Sequence, residues 1–289
     1  EDEQFRSELR AWLESSLPQE WRQPGYWLSL DGDESFEKRR DWEASKTAAG
    51  FSGIDWPAEF GGRGGKPAQK AIHDEELAAA GAPTTVNALG LAFLAPTVMN
   101  IGTDEQKKEI IGPLLRNEVI WCQGFSEPGA GSDLAAVRTK GVLDGDEYVV
   151  NGQKVWISTA QVADTILLLA RTAPIEQCRS PADGISLFYV DFDREKIQAR
   201  PIPKMGRNAV SSNEVFIDDL EVPLEDRVGE EGQGFTYLLD GLNPERMLVA
   251  AEALGLGRVA LKRAVRYGNE REVFGRPIGM NQGLQFPLA

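Results

Sequence analysis

Histidine and cysteine are scarce in this sequence, and that scarcity narrows the chemistry available to it. The 289 residues include one histidine, His73, and two cysteines, Cys122 and Cys178. Serine–histidine, cysteine–histidine and histidine–metal sites each need a well-placed imidazole, so all three are disfavoured. Two cysteines without CxxC spacing argue against a disulfide framework and a zinc site, and they favour a reducing cytosolic or matrix compartment. An enzyme built from this chain must rely on carboxylates, backbone donors or a cofactor.

Long apolar runs and excess positive charge are also lacking. No run approaches the roughly 18 apolar residues that a membrane-spanning helix needs. The formal net charge of −14 repels phosphate backbones, so we expect no nucleic-acid partner. The chain begins at Glu1 without a methionine, which is compatible with the removal of a leader peptide. His73 has acidic neighbours, Asp74 to Glu76, and we expect it at the surface.

The residues up to about 118 predict helices. The segment FRSELRAWLESSL carries its apolar residues at helical spacing. Two later helical segments end on Gly50 and Gly81, which suit the residue after a helix. Thr103 and Gln106 form a T-x-x-Q capping box that opens a further helix.

From about residue 119 the pattern becomes strand-like. VRTKGVLDGDEYVVNGQKVWIS alternates and contains Asp144-Gly145 and Asn151-Gly152, two dipeptides typical of hairpin turns. Further strand-like runs follow without helices between them: DTILLLAR, GISLFYVDFD, KIQARPI and NEVFIDDLEVP. Contiguous strands favour a separate antiparallel β domain over a βαβ fold.

The helical period returns after about residue 232. Asn243 and the residues after it predict a helix N-terminus, with Asn243 as the cap and Glu245 in the first turn. The chain ends at Ala289 inside another apolar-periodic segment, and we expect more protein to follow. The fold class is therefore α+β. Its predicted parts are an N-terminal all-α domain (1–118), a middle β-barrel or sandwich domain (119–231) and the start of a C-terminal helical domain (232–289).

The stretch SEPGAGSD, residues 126–133, has two interpretations. Its proline and glycines cannot occupy the interior of a regular helix or strand, so it fits a tight junction between the helical and β parts. Its consecutive N–H groups and serine hydroxyls equally suit a cradle for a phosphate or a polar ring edge. The other glycine-rich run, GGRGGK at 61–66, lacks the spacing of a phosphate-binding loop.

Longer matches carry a resemblance to a known family. WCQGFSEPGAGSDLA and DGDEYVVNGQKVWIS resemble the signature of the acyl-CoA dehydrogenase family of flavoproteins. Five more segments occur in that family's order: WPAEFGG, IGTDEQKKEIIGPLL, NEVFIDDLEVP, GEEGQGF and NEREVFGRPIGMNQ. The resemblance covers nearly all of the chain and implies the family's fold, without most of its C-terminal four-helix bundle.

The resemblance also implies FAD as the cofactor and an acyl-CoA thioester as the substrate. Two segments, within 123–132 and 156–158, match the family's flavin-facing residues. A third segment, within 271–282, matches positions that contact the FAD of a neighbouring subunit. The implied cofactor-binding residues are Gln123, Phe125, Ser126, Gly131, Ser132, Trp156, Ile157, Ser158, Arg271, Phe274 and Gln282. Ser132 also matches an acyl-CoA contact, and the inter-subunit contacts imply a homodimer or homotetramer. Val273 occupies a position where many members carry threonine.

In the family's reaction a carboxylate removes the α-proton while a hydride leaves the β-carbon. Glu245 matches one of the family's two base positions, and the other lies in the C-terminal part that this sequence lacks. Without the resemblance, the position of Glu245 has a second explanation, because the helix dipole favours a glutamate in the first turn of any helix. Asn243 and Arg246 match residues that hold the pantetheine arm, although Arg246 also suits a purely structural ion pair.

Three functions compete at this point. The leading hypothesis is an FAD-dependent acyl-CoA dehydrogenase that passes electrons to an electron-transfer flavoprotein, located in a bacterial cytoplasm or a mitochondrial matrix. The second is an oxygen-using relative similar to acyl-CoA oxidase or nitroalkane oxidase. The third is a catalytically silent subunit that completes the flavin site of a partner in a hetero-oligomer. The sequence leaves the length and branching of the acyl chain open.

Overall fold

The chain is divided into two compact units, Glu1–Gly241 and Leu242–Ala289. The structure, a computed structural model, describes residues 1–206 and 210–289, without the side chains of Asp240 and Pro244. Among the described residues, no helix is both long enough and apolar enough to cross a bilayer.

The first part of the larger unit is helical, as the sequence predicts. Apolar residues of the first helix are buried, including Phe5, Leu9 and Leu13. The predicted capping box is confirmed, since Thr103 Oγ1 accepts a hydrogen bond from Gln106 N at 3.2 Å. The helices are α1 (Asp2–Ser16), α2 (Tyr26–Ser29), α3 (Gly32–Ala48), α4 (Pro67–Ala80), α5 (Ala95–Ile101) and α6 (Asp104–Leu115).

The expected surface position of His73 is wrong. Its side chain is buried, and Nδ1 lies 2.9 Å from Asp74 Oδ1. The buried residues of α4 are Gln69, Ile72, His73 and Glu76, a stripe at helical spacing. Because α4 packs against α1, where Arg10 donates to the Glu76 carboxylate, this stripe faces the core. The acidic neighbours of His73 on the chain do not determine which way its ring points.

A curled sheet follows the helices. Its strands are β1 (Trp121–Gly124), β2 (Lys140–Asp144), β3 (Glu147–Ser158), β4 (Thr165–Arg171), β5 (Ile185–Asp191), β6 (Ile197–Pro201) and β7 (Ser212–Pro223). The spatial order is β1-β4-β2-β3-β7-β6, and β5 pairs with β4. Most pairs are antiparallel, as predicted, but β1 and β2 each run parallel to β4. The parallel β1–β4 pair places the ends of β1 and β4 at the same edge of the sheet.

The two predicted hairpin turns have different outcomes. Asp144-Gly145 does connect β2 to β3, with Gly145 at φ +66°. Asn151-Gly152 forms no turn and lies inside β3, where the pairing with β7 shifts register. The Asn151 side chain bonds Asp219 on β7, accepting from its backbone N at 2.9 Å. A cross-strand partner therefore replaces the local turn, and the dipeptide forms a bulge.

Gly152→Ala should destabilise the β domain. A Cβ at this position would lie 2.3 Å from Thr139 Oγ1 and 2.8 Å from its Cα, so backbone would have to move. We expect the free energy of unfolding, measured in urea, to fall by about 1–3 kcal/mol. Gly141→Ala on β2 is the matched control, because its nearest neighbour would lie 3.5 Å away. Equal losses for both variants would contradict this account of the bulge.

The last long helix begins earlier than the sequence predicts. Helix α7 covers Gly234–Glu270 without a break, so Asn243 is an interior residue and not the cap. Upstream packing extends the helix: Leu238 is buried, and Gly241 lies so close to Phe93 that a Cβ would clash. Beyond α7 come a short hairpin of β8 (Glu272–Val273) and β9 (Arg276–Pro277) and then helix α8 (Gln282–Leu288).

Candidate functional site

Two of the sequence-predicted segments lie side by side in the structure. The residues from Gln123 to Ser126 span the end of β1 and the start of the loop after it, and Trp156 to Ser158 form the end of β3. The backbone N–H of Val155 donates to the Ser126 carbonyl at 2.9 Å. The hydroxyl of Thr159 donates to the Trp121 carbonyl at 3.3 Å, so the connection extends along both segments.

The glycines of SEPGAGSD are not explained by packing against the part of the chain that the structure describes. Glu127 and Ala130 exchange two backbone hydrogen bonds of 3.0 Å, which makes a tight turn with Ala130 buried. A Cβ on Gly129 or Gly131 would meet no described atom within 4 Å, and neither residue has a positive φ. A tight junction alone would therefore accept other residues at both positions. Open backbone beside the exposed Ser132 favours the cradle interpretation.

Trp156 combines two unusual properties. Its backbone has φ +64°, a left-handed conformation that is rare for a bulky residue, and its side chain is 61 % exposed. It lies where the β3–β7 register shifts between Lys154 and Ile157. Ile157 is buried, and its carbonyl accepts from Asn213 Nδ2 at 2.9 Å. The bulge thus turns the indole out of the sheet while its neighbours anchor the backbone, an arrangement typical of a binding surface.

Gln123 supplies an unsatisfied donor beside this surface. Its Nε2 is buried and has no hydrogen-bond partner among the described residues. A buried amide without a partner costs free energy, which a bound acceptor would recover. Phe125 is buried and packs edge-on against Phe93, with ring centroids 5.7 Å apart. The amide donor, the exposed indole and the open glycine backbone fit a flat ring with polar edges, such as the flavin that the sequence implies.

A buried ion pair that sequence reasoning missed joins the same segments. Lys154 Nζ lies 2.9 Å from Glu127 Oε1, and the lysine side chain is fully buried. Burial lowers the pKa of Lys154 to about 8, although the Glu127 carboxylate opposes that shift. Burial raises the pKa of Glu127, but the Lys154 charge and the hydrogen bonds to the carboxylate leave it below its usual range. A lysine within the apolar strand pattern of β3 was the signal that could have revealed this pair.

The predicted catalytic residue lies on α7, in the smaller unit. Glu245 shares a helix face with Leu242, Arg246 and Val249, and these four residues line one recess. Burial raises the pKa of Glu245, although the charge of Arg246 opposes the shift. Arg246 Nη1 donates to Asn243 Oδ1 at 2.9 Å, which links the two predicted substrate contacts. Because α7 begins at Gly234, Glu245 is outside the first turn and the helix dipole does not explain it.

The predicted inter-subunit residues surround the β8–β9 hairpin. Phe274 at its tip is fully exposed and has φ +55°. Arg271 and Gln282 are also exposed, directly after α7 and at the start of α8. Ile278 N donates to the Arg271 carbonyl at 2.8 Å, which closes the hairpin onto the helix. Their contact with a neighbouring subunit stays a prediction.

Comparison with known families gives three matches along the chain. Residues 1–118 match "Acyl-CoA dehydrogenase, N-terminal domain". Residues 122–220 match the middle domain of the same enzymes, and residues 232–289 match their C-terminal domain.

Individual relatives agree with these matches. "Acyl-CoA dehydrogenase IpdE1" of Mycobacterium tuberculosis is 39 % identical over 251 residues, which are 84 % of this chain and 63 % of that protein. A solved acyl-CoA dehydrogenase of Geobacillus kaustophilus is 33 % identical with a TM-score of 0.80, covering 99 % of this chain and 73 % of its own. The solved ChsE4–ChsE5 complex of Mycobacterium tuberculosis is 32 % identical with a TM-score of 0.76, covering 99 % and 71 %. The chain thus spans about two thirds of the length of these relatives.

Proposed function

This chain belongs to the acyl-CoA dehydrogenase family, and we propose that it acts as an FAD-dependent dehydrogenase of acyl-CoA thioesters. The observation that carries the proposal is the adjacency of two features at neighbouring strand ends. One is the glycine loop, where no described neighbour lies close enough to require glycine, and the other is the exposed Trp156 with its left-handed backbone. Both features favour a bound flat group with a polar edge.

The residues of the larger unit would hold the cofactor. Gln123 and Ser126 offer an amide donor and a hydroxyl to the polar edge of the ring, and Trp156 offers a face for stacking. Ser158 adds a second hydroxyl, while Gly131 and Ser132 leave backbone N–H groups open to a pyrophosphate. When bound, FAD supplies the acceptor for the substrate's hydride.

The residues of the smaller unit would act on the substrate. Glu245 removes the α-proton, and Asn243 and Arg246 hold the pantetheine arm. A carboxylate that burial makes more basic suits a weakly acidic C–H proton. Arg271, Phe274 and Gln282 would reach the FAD of a neighbouring subunit in a homodimer or homotetramer. Electrons would pass to an electron-transfer flavoprotein, and we place the protein in the cytoplasm.

The rate of α-proton removal should depend on the ionisation of Glu245. Because burial raises the pKa of this carboxyl, the proton-free base is lost on acidification at a pH above that of an ordinary glutamate. We expect kcat/KM to rise with pH through that raised pKa and then to level off. A profile measured with one acyl-CoA tests this. A rate that stays constant down to the ordinary pKa of glutamate would contradict Glu245 as the base.

The function itself is tested by the visible spectrum of the purified full chain, followed by anaerobic titration with acyl-CoAs. Short, long, branched and steroid-like acyl groups would be compared. We expect a flavin absorption band that one class bleaches, which would also identify the acyl group. A flavin band that no acyl-CoA bleaches would contradict dehydrogenation, and oxygen consumption without a mediator would favour an oxidase.

A second candidate function rests on one structural relative. By its name, the solved ChsE4–ChsE5 complex contains two different proteins. This sequence is 32 % identical to the chain of that complex that it matches. By analogy, the chain would complete the flavin site of a non-identical partner. That candidate predicts no FAD in the protein purified alone and recovery of FAD on co-expression with the partner.

A further inference from the structure

We infer that the buried Glu127–Lys154 pair is a positioning device that holds the two cofactor-facing segments at a defined separation. The inference rests on the proposed function, because it takes Gln123–Ser126 and Trp156–Ser158 as the residues that contact FAD. Neither charged residue is assigned a contact with the cofactor or the substrate.

The ammonium group of Lys154 has three donors, and each has a partner. It donates to Glu127 Oε1 at 2.9 Å, to the Phe125 carbonyl at 3.1 Å and to the Leu169 carbonyl at 2.7 Å. Phe125 lies in the first cofactor-facing segment, and Leu169 lies on β4. The lysine therefore connects its own strand, β3, to the loop after β1 and to β4, which β2 separates from β3 in the sheet.

The carboxylate of Glu127 extends this network to the start of β2. Its Oε2 accepts from Arg138 N at 2.7 Å, and its Oε1 accepts from Thr139 N at 2.9 Å. Glu127 is also the first residue of the tight turn that presents Gly129 and Gly131. Charge-assisted hydrogen bonds are short and directional, so the pair limits the relative movement of these segments.

The position of the pair along the chain supports a role in the site. Glu127 directly follows Ser126, and Lys154 is two residues before Trp156. Between them, Val155 N donates to the Ser126 carbonyl at 2.9 Å. The ion pair and this hydrogen bond form a bridge next to the strained indole. Without the bridge, the bulge could relax and Trp156 could turn back toward the sheet.

The chain contains a matched control pair. Lys46 Nζ lies 2.9 Å from Glu43 Oε1 on α3, and both side chains are buried. The distance and burial resemble those of the Glu127–Lys154 pair, but Glu43 and Lys46 lie in the helical part and belong to no predicted site. A purely structural role predicts the same consequences for both pairs.

The test compares two double variants of the full chain, Glu127→Gln with Lys154→Met and Glu43→Gln with Lys46→Met. Removing both charges avoids an unpaired buried charge, so we expect each double variant to fold. Thermal melting of the apoprotein measures stability, and fluorescence quenching on titration measures the Kd for FAD. We expect the Kd of the 127/154 variant to rise at least tenfold and the visible circular dichroism of its bound flavin to change. We expect the 43/46 variant to keep the wild-type Kd and spectrum.

Each outcome decides one question. Equal Kd values for the wild type and both folded variants would overturn the positioning role while leaving the proposed function intact. A wild type that binds no FAD would overturn the proposed function instead. If the 127/154 double variant fails to fold, Lys154→Arg keeps the charge in a different geometry. A folded Lys154→Arg protein with wild-type FAD affinity and spectrum would likewise overturn the inference.

Discussion

Glu245→Gln should reduce α-proton exchange of a bound acyl-CoA by about 10²- to 10⁴-fold, the usual contribution of a general base. Glutamine keeps the shape of the side chain but cannot accept the proton. FAD binding should be unchanged, because no predicted cofactor contact involves this residue. The exchange is measured anaerobically in deuterium oxide by mass spectrometry of the recovered thioester.

The control for this prediction is Glu252→Gln, which neutralises an exposed carboxylate further along α7. We expect its exchange rate to match the wild type, which would separate loss of the base from loss of charge on the helix. Unchanged exchange in Glu245→Gln would move the base to another residue. That result would leave the cofactor proposal unaffected, since the flavin band is measured independently.

Trp156→Gly should weaken FAD binding while leaving the apoprotein as stable as before or more stable. Aromatic stacking of this kind contributes about 1–3 kcal/mol, so we expect the Kd for FAD to rise by about 5- to 150-fold. The left-handed conformation costs about 1–3 kcal/mol in a residue other than glycine, and glycine avoids that cost. Glycine's extra entropy in the unfolded chain offsets about 0.5–1 kcal/mol of the gain. The residue is 61 % exposed, so less than half of its surface is buried.

Asn117→Gly provides the comparison for strain alone. Asn117 also has a positive φ, of 58°, but it lies after α6 and belongs to no predicted site. We expect it to leave the Kd for FAD unchanged. Urea unfolding of the apoproteins and fluorescence titration with FAD measure both properties. A large loss of apoprotein stability in Trp156→Gly would show that the indole serves the core and not a ligand.

Local signals were sufficient for much of the fold. The capping box at Thr103, the apolar spacing of α1 and the Asp144-Gly145 turn involve residues only a few positions apart. Their energetics hardly depend on the rest of the chain, so short patterns predict them. The family resemblance likewise rests on contiguous segments, and the family matches confirm it.

Long-range contacts caused the wrong predictions. Asn151 bonds Asp219 on another strand, so a turn signal became a bulge. His73 is buried because the stripe of α4 that contains it packs against α1. Helix α7 begins upstream of Asn243 because packing around Leu238 and Gly241 supports the earlier turns. The groups that supply these contacts are Asp219, helix α1 and Phe93. Each lies far along the chain from the segment that was predicted wrongly.

By itself, the sequence determined the α+β class, the family and the identity of the candidate residues, because these depend on residue types and short spacings. Only the tertiary structure decided which candidates lie together and how they are held. It placed the glycine loop beside Trp156 and buried Lys154 against Glu127, residues 27 positions apart along the chain. Such contacts form where strands from distant parts of the chain meet and exclude water. The free energy of burying and pairing those groups therefore depends on the whole sheet and not on the segments that contain them.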